Sequence, residues 1–159
     1  MSLKKIHANT YPMSYKFCLA LTILIFGCTT SPMQPTETLQ ENQLCIELTC
    51  IQIEKAITSQ EQTKGLMFRE NLNENSGMLF IFPDQKIRQF WMKNTLIPLD
   101  MIWINENKEI IGITKNAQPC KADPCQIYAS NGPAKYVLEI NAGFAQKKGL
   151  EKGQKIDFN

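Results

Sequence analysis

Two acids stand where acid–base chemistry could be arranged. Asp100 follows Ile97-Pro98-Leu99, and Glu139 interrupts the apolar run from Tyr136 to Ile140. Two carboxyls facing one cleft can hydrolyse a glycosidic bond, one as the acid and the other as base or nucleophile. A second constellation centres on Phe90-Trp91-Met92-Lys93-Asn94-Thr95. Strand alternation puts Phe90 and Met92 on one face and Trp91 and Lys93 on the other. Trp91 would be a stacking platform at a pocket rim, with Arg69, Lys93, Asn94 and Asp100 supplying polar contacts. Arginine brings a planar fork suited to carboxylate or phosphate. The same residues also fit a purely structural role. Asn94 and Thr95 can close a turn with their own side chains, and Asp100 can bind backbone amides or pair with Arg69 or Lys93.

Four cysteines of the domain, Cys45, Cys50, Cys120 and Cys125, form two pairs of equal spacing. An even number in an exported chain favours disulfides. Asp123-Pro124 is turn-forming, so a local Cys120–Cys125 bridge is expected, with Cys45 and Cys50 left to each other. That second bridge meets a geometric objection. Residues 45–50 as one extended strand would span roughly 17 Å, whereas a bridge needs Cα atoms within about 7 Å. Either the chain turns near Glu47-Leu48-Thr49, or the two pairs are cross-linked. A four-thiolate zinc site is the rival, but neither pair has the C-x2-C spacing of common zinc ribbons. Met67, Met78, Met92 and Met101 show no short repeat and are expected to pack the core rather than hold copper. No metal or cofactor is expected.

The amino terminus says where the chain goes. Residues up to Lys16 carry three lysines and no acid, and Phe17 to Phe26 is an uncharged run ending at Gly27-Cys28. A basic stretch, a short apolar stretch and a small residue before the cut describe a secretory signal. Ten residues as a helix reach only about 15 Å, too short for a bilayer. Ile25-Phe26-Gly27-Cys28 resembles the lipobox of bacterial lipoproteins, in which the cysteine is thioether-linked to diacylglycerol and becomes the new amino terminus. Thr29 in place of aspartate favours the outer membrane, facing the periplasm. The expected organisation is a signal over residues 1–27, a flexible Pro-containing tether over 28–43 and one domain over 44–159.

This processing changes what the composition excludes. His7 is the chain's one histidine, and it leaves with the signal. The domain then has no histidine for a Ser-His-Asp or Cys-His nucleophile or for a His-ligated metal. Three of the 17 basic residues also leave, so 14 remain against 15 acids, a net charge of −1. No basic run longer than Lys147-Lys148 is present, and no nucleic-acid partner is expected. The favoured reading is therefore a non-catalytic binding module using the Arg69–Asp100 region, taking a small ligand, a glycan or an envelope protein. The alternative is a hydrolase of an envelope glycan using Asp100 and Glu139.

The elements that must position these residues are short. Apolar and polar residues alternate from Cys50 to Glu54 within a β-like stretch over Leu44 to Ala56. Thr58-Ser59-Gln60-Glu61 matches a capping box, predicting a helix to about Met67 or Phe68. Met78 to Phe82 reads as a buried strand broken by Pro83-Asp84, followed by a strand over Ile87 to Met92. Leu99 to Ile104 and Glu109 to Thr114 flank a hairpin turn at Asn105–Lys108. Asn116 to Gln126 reads as a loop and Tyr136 to Ile140 as a strand. Asn141 would cap a helix over Ala142 to Lys148 that stops at Gly149, and Lys155 to Phe158 is a last strand. The pattern predicts an α+β, mostly-β domain: a curled antiparallel or mixed sheet, or partial barrel, with two short helices.

Five blocks then occur in order: Gly65-Leu66-Met67-Phe68-Arg69, Gly77-Met78-Leu79-Phe80, the Phe90–Thr95 block, Ile97-Pro98-Leu99-Asp100, and Tyr136-Val137-Leu138-Glu139 with Asn141-Ala142-Gly143. Together they resemble the domain of unknown function family 192, also called uncharacterised protein family 0127, over residues 50–158. The resemblance implies a compact β-rich domain, often exported or lipid-anchored, with no established biochemical activity.

Overall fold

The computed structural model describes residues 42–159. The expected signal, Cys28 and nearly all of the tether lie outside the described residues. The domain is mostly β, a curled mixed sheet forming a half-barrel with two short helices.

The chain enters as a hairpin, β1 (Gln43–Ile46) and β2 (Thr49–Ala56). It turns at Glu47-Leu48, where Glu47 has φ 52°, so Cys45 lies directly opposite Cys50 with Cα atoms 4.1 Å apart and the two are bridged. The turn answers the distance objection that an unbroken strand raised. Cys120 and Cys125 form the other disulfide.

Helix α1 (Ser59–Lys64) follows, with both arms of the Thr58–Glu61 capping box formed. It ends earlier than expected, because Gly65 takes φ 46° and ψ −134°, a conformation that breaks the helical path and suits only glycine. The chain returns as β3 (Ser76–Lys86), which lies parallel to β2. Pro83 does not break this strand. Its pairing slips between Ile81 and Lys86, and a proline within a bulge leaves no ladder hydrogen bond unmade.

A short ribbon pairs β4 (Gln89–Trp91) with β7 (Ile127–Ala129). The main sheet gains β5 (Leu99–Ile104), β6 (Ile110–Ala117), β8 (Ala134–Asn141) and β9 (Ile156–Phe158), in the order β6-β5-β8-β3-β2-β1-β9. Its two ends approach each other. Glu109 bridges Lys155, Ile110 N donates to the Gln154 carbonyl at 3.0 Å, and Ile156 N donates to the Lys108 carbonyl at 2.9 Å.

Every residue of β5 is buried, which requires cover on both faces. One face carries Leu79, Ile102, Ile104, Leu138 and Ile140 against Phe144, Leu150 and Phe158. The opposite face carries Phe80, Met101, Trp103 and Val137 against Leu66 and Met92, with partly buried Phe90 and Tyr128 of the ribbon above them. Met78, Met92 and Met101 are core residues. Burying each large side chain stabilises the fold by roughly 1.5–3 kcal/mol.

Helix α2 (Phe144–Lys147) starts later than expected and is capped by Gly143, not Asn141. Asn141 stays in β8 and its amide donates to the carbonyls of Leu72 and Asn73. Gly143 has no side chain to cap with, and Asp100 reaches across from β5 instead, accepting from Ala145 N at 3.0 Å.

Candidate functional site

The register of β5 and β8 decides the fate of the two acids. Asp100 lies opposite Ile140 and Met101 opposite Glu139. Successive strand residues point to opposite faces, so Asp100 belongs to the face of Ile102 and Leu138, and Glu139 to the face of Met101 and Trp103. The two carboxyls do not share a cleft, and the geometry of a paired-carboxylate hydrolase is not formed.

Asp100 is fully buried and accepts from two backbone amides, Asn116 N at 2.8 Å and Ala145 N at 3.0 Å. It therefore leaves the expected pocket rim, having taken the amide-binding alternative. Arg69 does not meet it. Its guanidinium grips Glu54 of β2 through two hydrogen bonds of 2.5 and 2.7 Å, and this pairing holds the Glu54 carboxyl below its ordinary range. Lys93 pairs with Asp123 at 3.1 Å, and its ammonium stands 5.6 Å from the Trp91 ring centroid. Asn94 adopts φ 57°, and its carbonyl accepts from Phe68 N at 2.8 Å, which ties the segment after Gly65 to the turn. The residues of the Arg69–Asp100 region thus have separate partners: Glu54 for Arg69, Asp123 for Lys93, the Phe68 amide for Asn94 and two other backbone amides for Asp100.

The structure does bring Trp91 and Glu139 together. A recess of about 40 Å³ is lined by Gln62, Thr63, Lys64, Gly65, Leu66 and Met67 on one side and by Phe80, Phe90, Trp91, Thr95 and Glu139 on the other. It adjoins an outer groove of about 320 Å³ between α1 and β4, lined by Ser59, Gln62, Thr63, Phe82, Gln89, Phe90 and Trp91. The aromatic wall is ordered by edge-to-face contacts, Phe80–Phe90 at 4.9 Å and Phe90–Trp103 at 5.6 Å between centroids. Gln62 anchors α1 by donating to the Ile81 carbonyl at 2.8 Å.

Glu139 is 5% exposed, and among the described residues nothing hydrogen-bonds or ion-pairs with its carboxyl. Burial alone pushes it up to about 8, because water no longer stabilises the anion. Gly65 leaves the space beside it open. A Cβ there would stand 3.1 Å from the Phe80 ring and 3.9 Å from Glu139 Oε2. Gly77 lets β3 approach β8 at the same level, since a Cβ there would fall 2.7 Å from the Glu139 carbonyl.

Sequence reasoning named Trp91 and Glu139 but placed them in different constellations. It missed Gln62, Thr63, Gly65, Phe80 and Thr95 as lining residues. One signal was available: a lone acid inside the apolar strand segment Val137-Leu138-Glu139-Ile140, where burial demands either a partner or a function.

Fold and site together define a small half-barrel domain with an aromatic groove over one buried acid. Residues 41–158 match the family described as Uncharacterized ACR, domain of unknown function 192, and the chain belongs to this family. It is similar to a UPF0127 protein of Pyrococcus furiosus, 26% identical over 100 residues covering 60% of this chain and 76% of that protein. A UPF0127 protein of Thermococcus sibiricus is 28% identical over 100 residues, 60% of this chain and 58% of that protein. Two crystal structures share the fold. One is a protein of unknown function from Novosphingobium aromaticivorans (TM-score 0.68, 36% identity, 79% of this chain and 90% of that one). The other, from Sinorhizobium meliloti, is described as a candidate transcription regulator (TM-score 0.65, 34% identity, 72% and 89%).

Proposed function

We propose that this protein is an envelope lipoprotein whose domain is a non-catalytic recognition module, binding a small ligand in the groove between α1 and β4. The observation that carries the reading is Glu139: a buried carboxyl without a protein partner, open to an aromatic-walled recess. Such a group costs folding free energy, and buried titratable groups of this kind concentrate at functional sites. Trp91, 46% exposed at the groove mouth, offers a stacking face, the role the sequence suggested for it. The expected result is that a small-molecule fragment set, screened by amide chemical-shift mapping, moves the signals of Gly65, Thr95 and Trp91. Trp91→Ala should then weaken the hits by about tenfold or more, the loss of one aromatic contact. Hits that map elsewhere, or that ignore Trp91→Ala, would remove the groove as the site.

Anchoring is tested separately. The lysine-rich start, the apolar run and Gly27-Cys28 support lipidation at Cys28. Palmitate should label the wild-type chain in a bacterial host and should not label Cys28→Ser. Equal labelling would sink the lipoprotein reading.

A further inference from the structure

Resting on that reading of the groove, we propose that the group inserted into the recess is an ammonium, carried by an organic amine whose body lies along Trp91 and Phe90, and that it pairs with Glu139. Three observations converge on this chemistry. The recess is small, about 40 Å³, and suits a compact head group. Its walls present Phe80, Phe90 and Trp91, and aromatic faces attract cations. The Lys93 ammonium already stands 5.6 Å from the Trp91 ring centroid. Lastly, Glu139 has no counter-charge of its own.

The surroundings of Glu139 can be taken element by element. Its cross-strand neighbours are Met78 on β3 and Met101 on β5. The ribbon offers Phe90 and Trp91, the turn before β5 offers Thr95, and the crossover offers Gly65, Leu66 and Lys64. Lys64 is the single charged residue lining the recess besides Glu139, and it is exposed at the end of α1. An entering ammonium therefore supplies the missing positive charge, and Thr95 lines the same recess. Occupation converts the acid to its carboxylate, so the proton leaves to solvent as the cation enters. Binding is then coupled to pH: the carboxyl sits near 8 in the empty site, so affinity for an amine that stays protonated over this range rises from pH 6 to pH 8 by about 50-fold.

The test uses the full chain with benzylamine and its uncharged isostere benzyl alcohol, followed by titration calorimetry and amide chemical shifts at pH 6 and pH 8. The inference expects benzylamine to bind at least tenfold more tightly than the alcohol at pH 8, to tighten strongly from pH 6, and to release a proton on binding. In Glu139→Gln, which keeps shape and removes the charge, the preference for the amine and its pH dependence should both vanish. Groove shifts with the alcohol as strong as those with the amine, or an amine affinity indifferent to pH or to Glu139→Gln, would overturn the ammonium assignment and leave the groove reading standing. If neither probe moves a groove signal and the fragment set also fails there, both readings fall.

Discussion

Between pH 5 and pH 8 the thermal midpoint of the domain should fall, and Glu139→Gln should abolish the fall. The Glu139 carboxyl titrates near 8 in the folded protein against 4.5 for the ordinary side chain. In that interval the unfolded chain has lost the proton and the folded chain still holds it, so unfolding releases a proton and rising pH favours unfolding. The stabilising difference is fully present below pH 4.5 and is lost as pH climbs through the folded value. A shift of this size corresponds to roughly 3–5 kcal/mol, or a decrease of about 10 °C or more in a domain of this length. The lowered carboxyls do not mask it. Glu54, Glu61, Glu74 and Asp84 are all held below their usual range by hydrogen bonds or ion pairs, so their contributions are lost only in acid, below the window. Scanning calorimetry of the two proteins at half-unit pH steps decides the matter. A flat wild-type profile over this range would mean that Glu139 is already ionised and partnered.

Asp100→Ala should cost about 2–4 kcal/mol in urea unfolding. The fully buried side chain satisfies two amides. Its removal leaves the buried Ala145 N without an acceptor and opens a cavity, while Asn116 N, on an exposed residue, can turn to water. A buried orphaned donor costs about 1–3 kcal/mol. Asp100→Asn should lose less, because one carbonyl oxygen remains to accept. The second signature is local: amide exchange at Ala145 should accelerate first, since Asp100 caps a helix whose own N-cap is glycine. The Trp91 groove should keep its fragment binding at temperatures where Asp100→Ala is folded. Loss of binding there without loss of stability would return Asp100 to the site from which its geometry removes it.

The contrast between these two acids shows what was legible in the chain. Asp100 and Glu139 look equivalent as residues in apolar surroundings. Their different roles come from the pairing of β5 with β8, and a shift of one residue in that register would set the two acids opposite each other on one face. Local signals survived well: the Thr58–Glu61 capping box, the alternation along β2 and the turn after Ile104 are all formed as the residues demanded. Signals that depend on distant chain did not. Arg69 finds Glu54, fifteen residues earlier, because β2 and β3 are parallel and the crossover between them passes over β2. Pro83 reads as a stop in isolation but falls in a bulge that only the partner strand reveals. The recess belongs to the crossover, the ribbon and the sheet at once, so no single stretch of sequence could display it.

The meeting of the sheet's two ends has a consequence for life among many copies. An open sheet offers each outer strand as a template on which another molecule can add a strand, the route to aggregation and fibres. Here Lys108, Glu109 and Ile110 on one side and Gln154, Lys155 and Ile156 on the other bind each other's backbone, and the side chains at the junction include the Lys155–Glu109 ion pair at 3.5 Å. The donors and acceptors at these two meeting strand ends are occupied and flanked by charge. Copies of a protein meet one another's edges constantly, and this seam removes the meeting ends of β6 and β9 from such encounters.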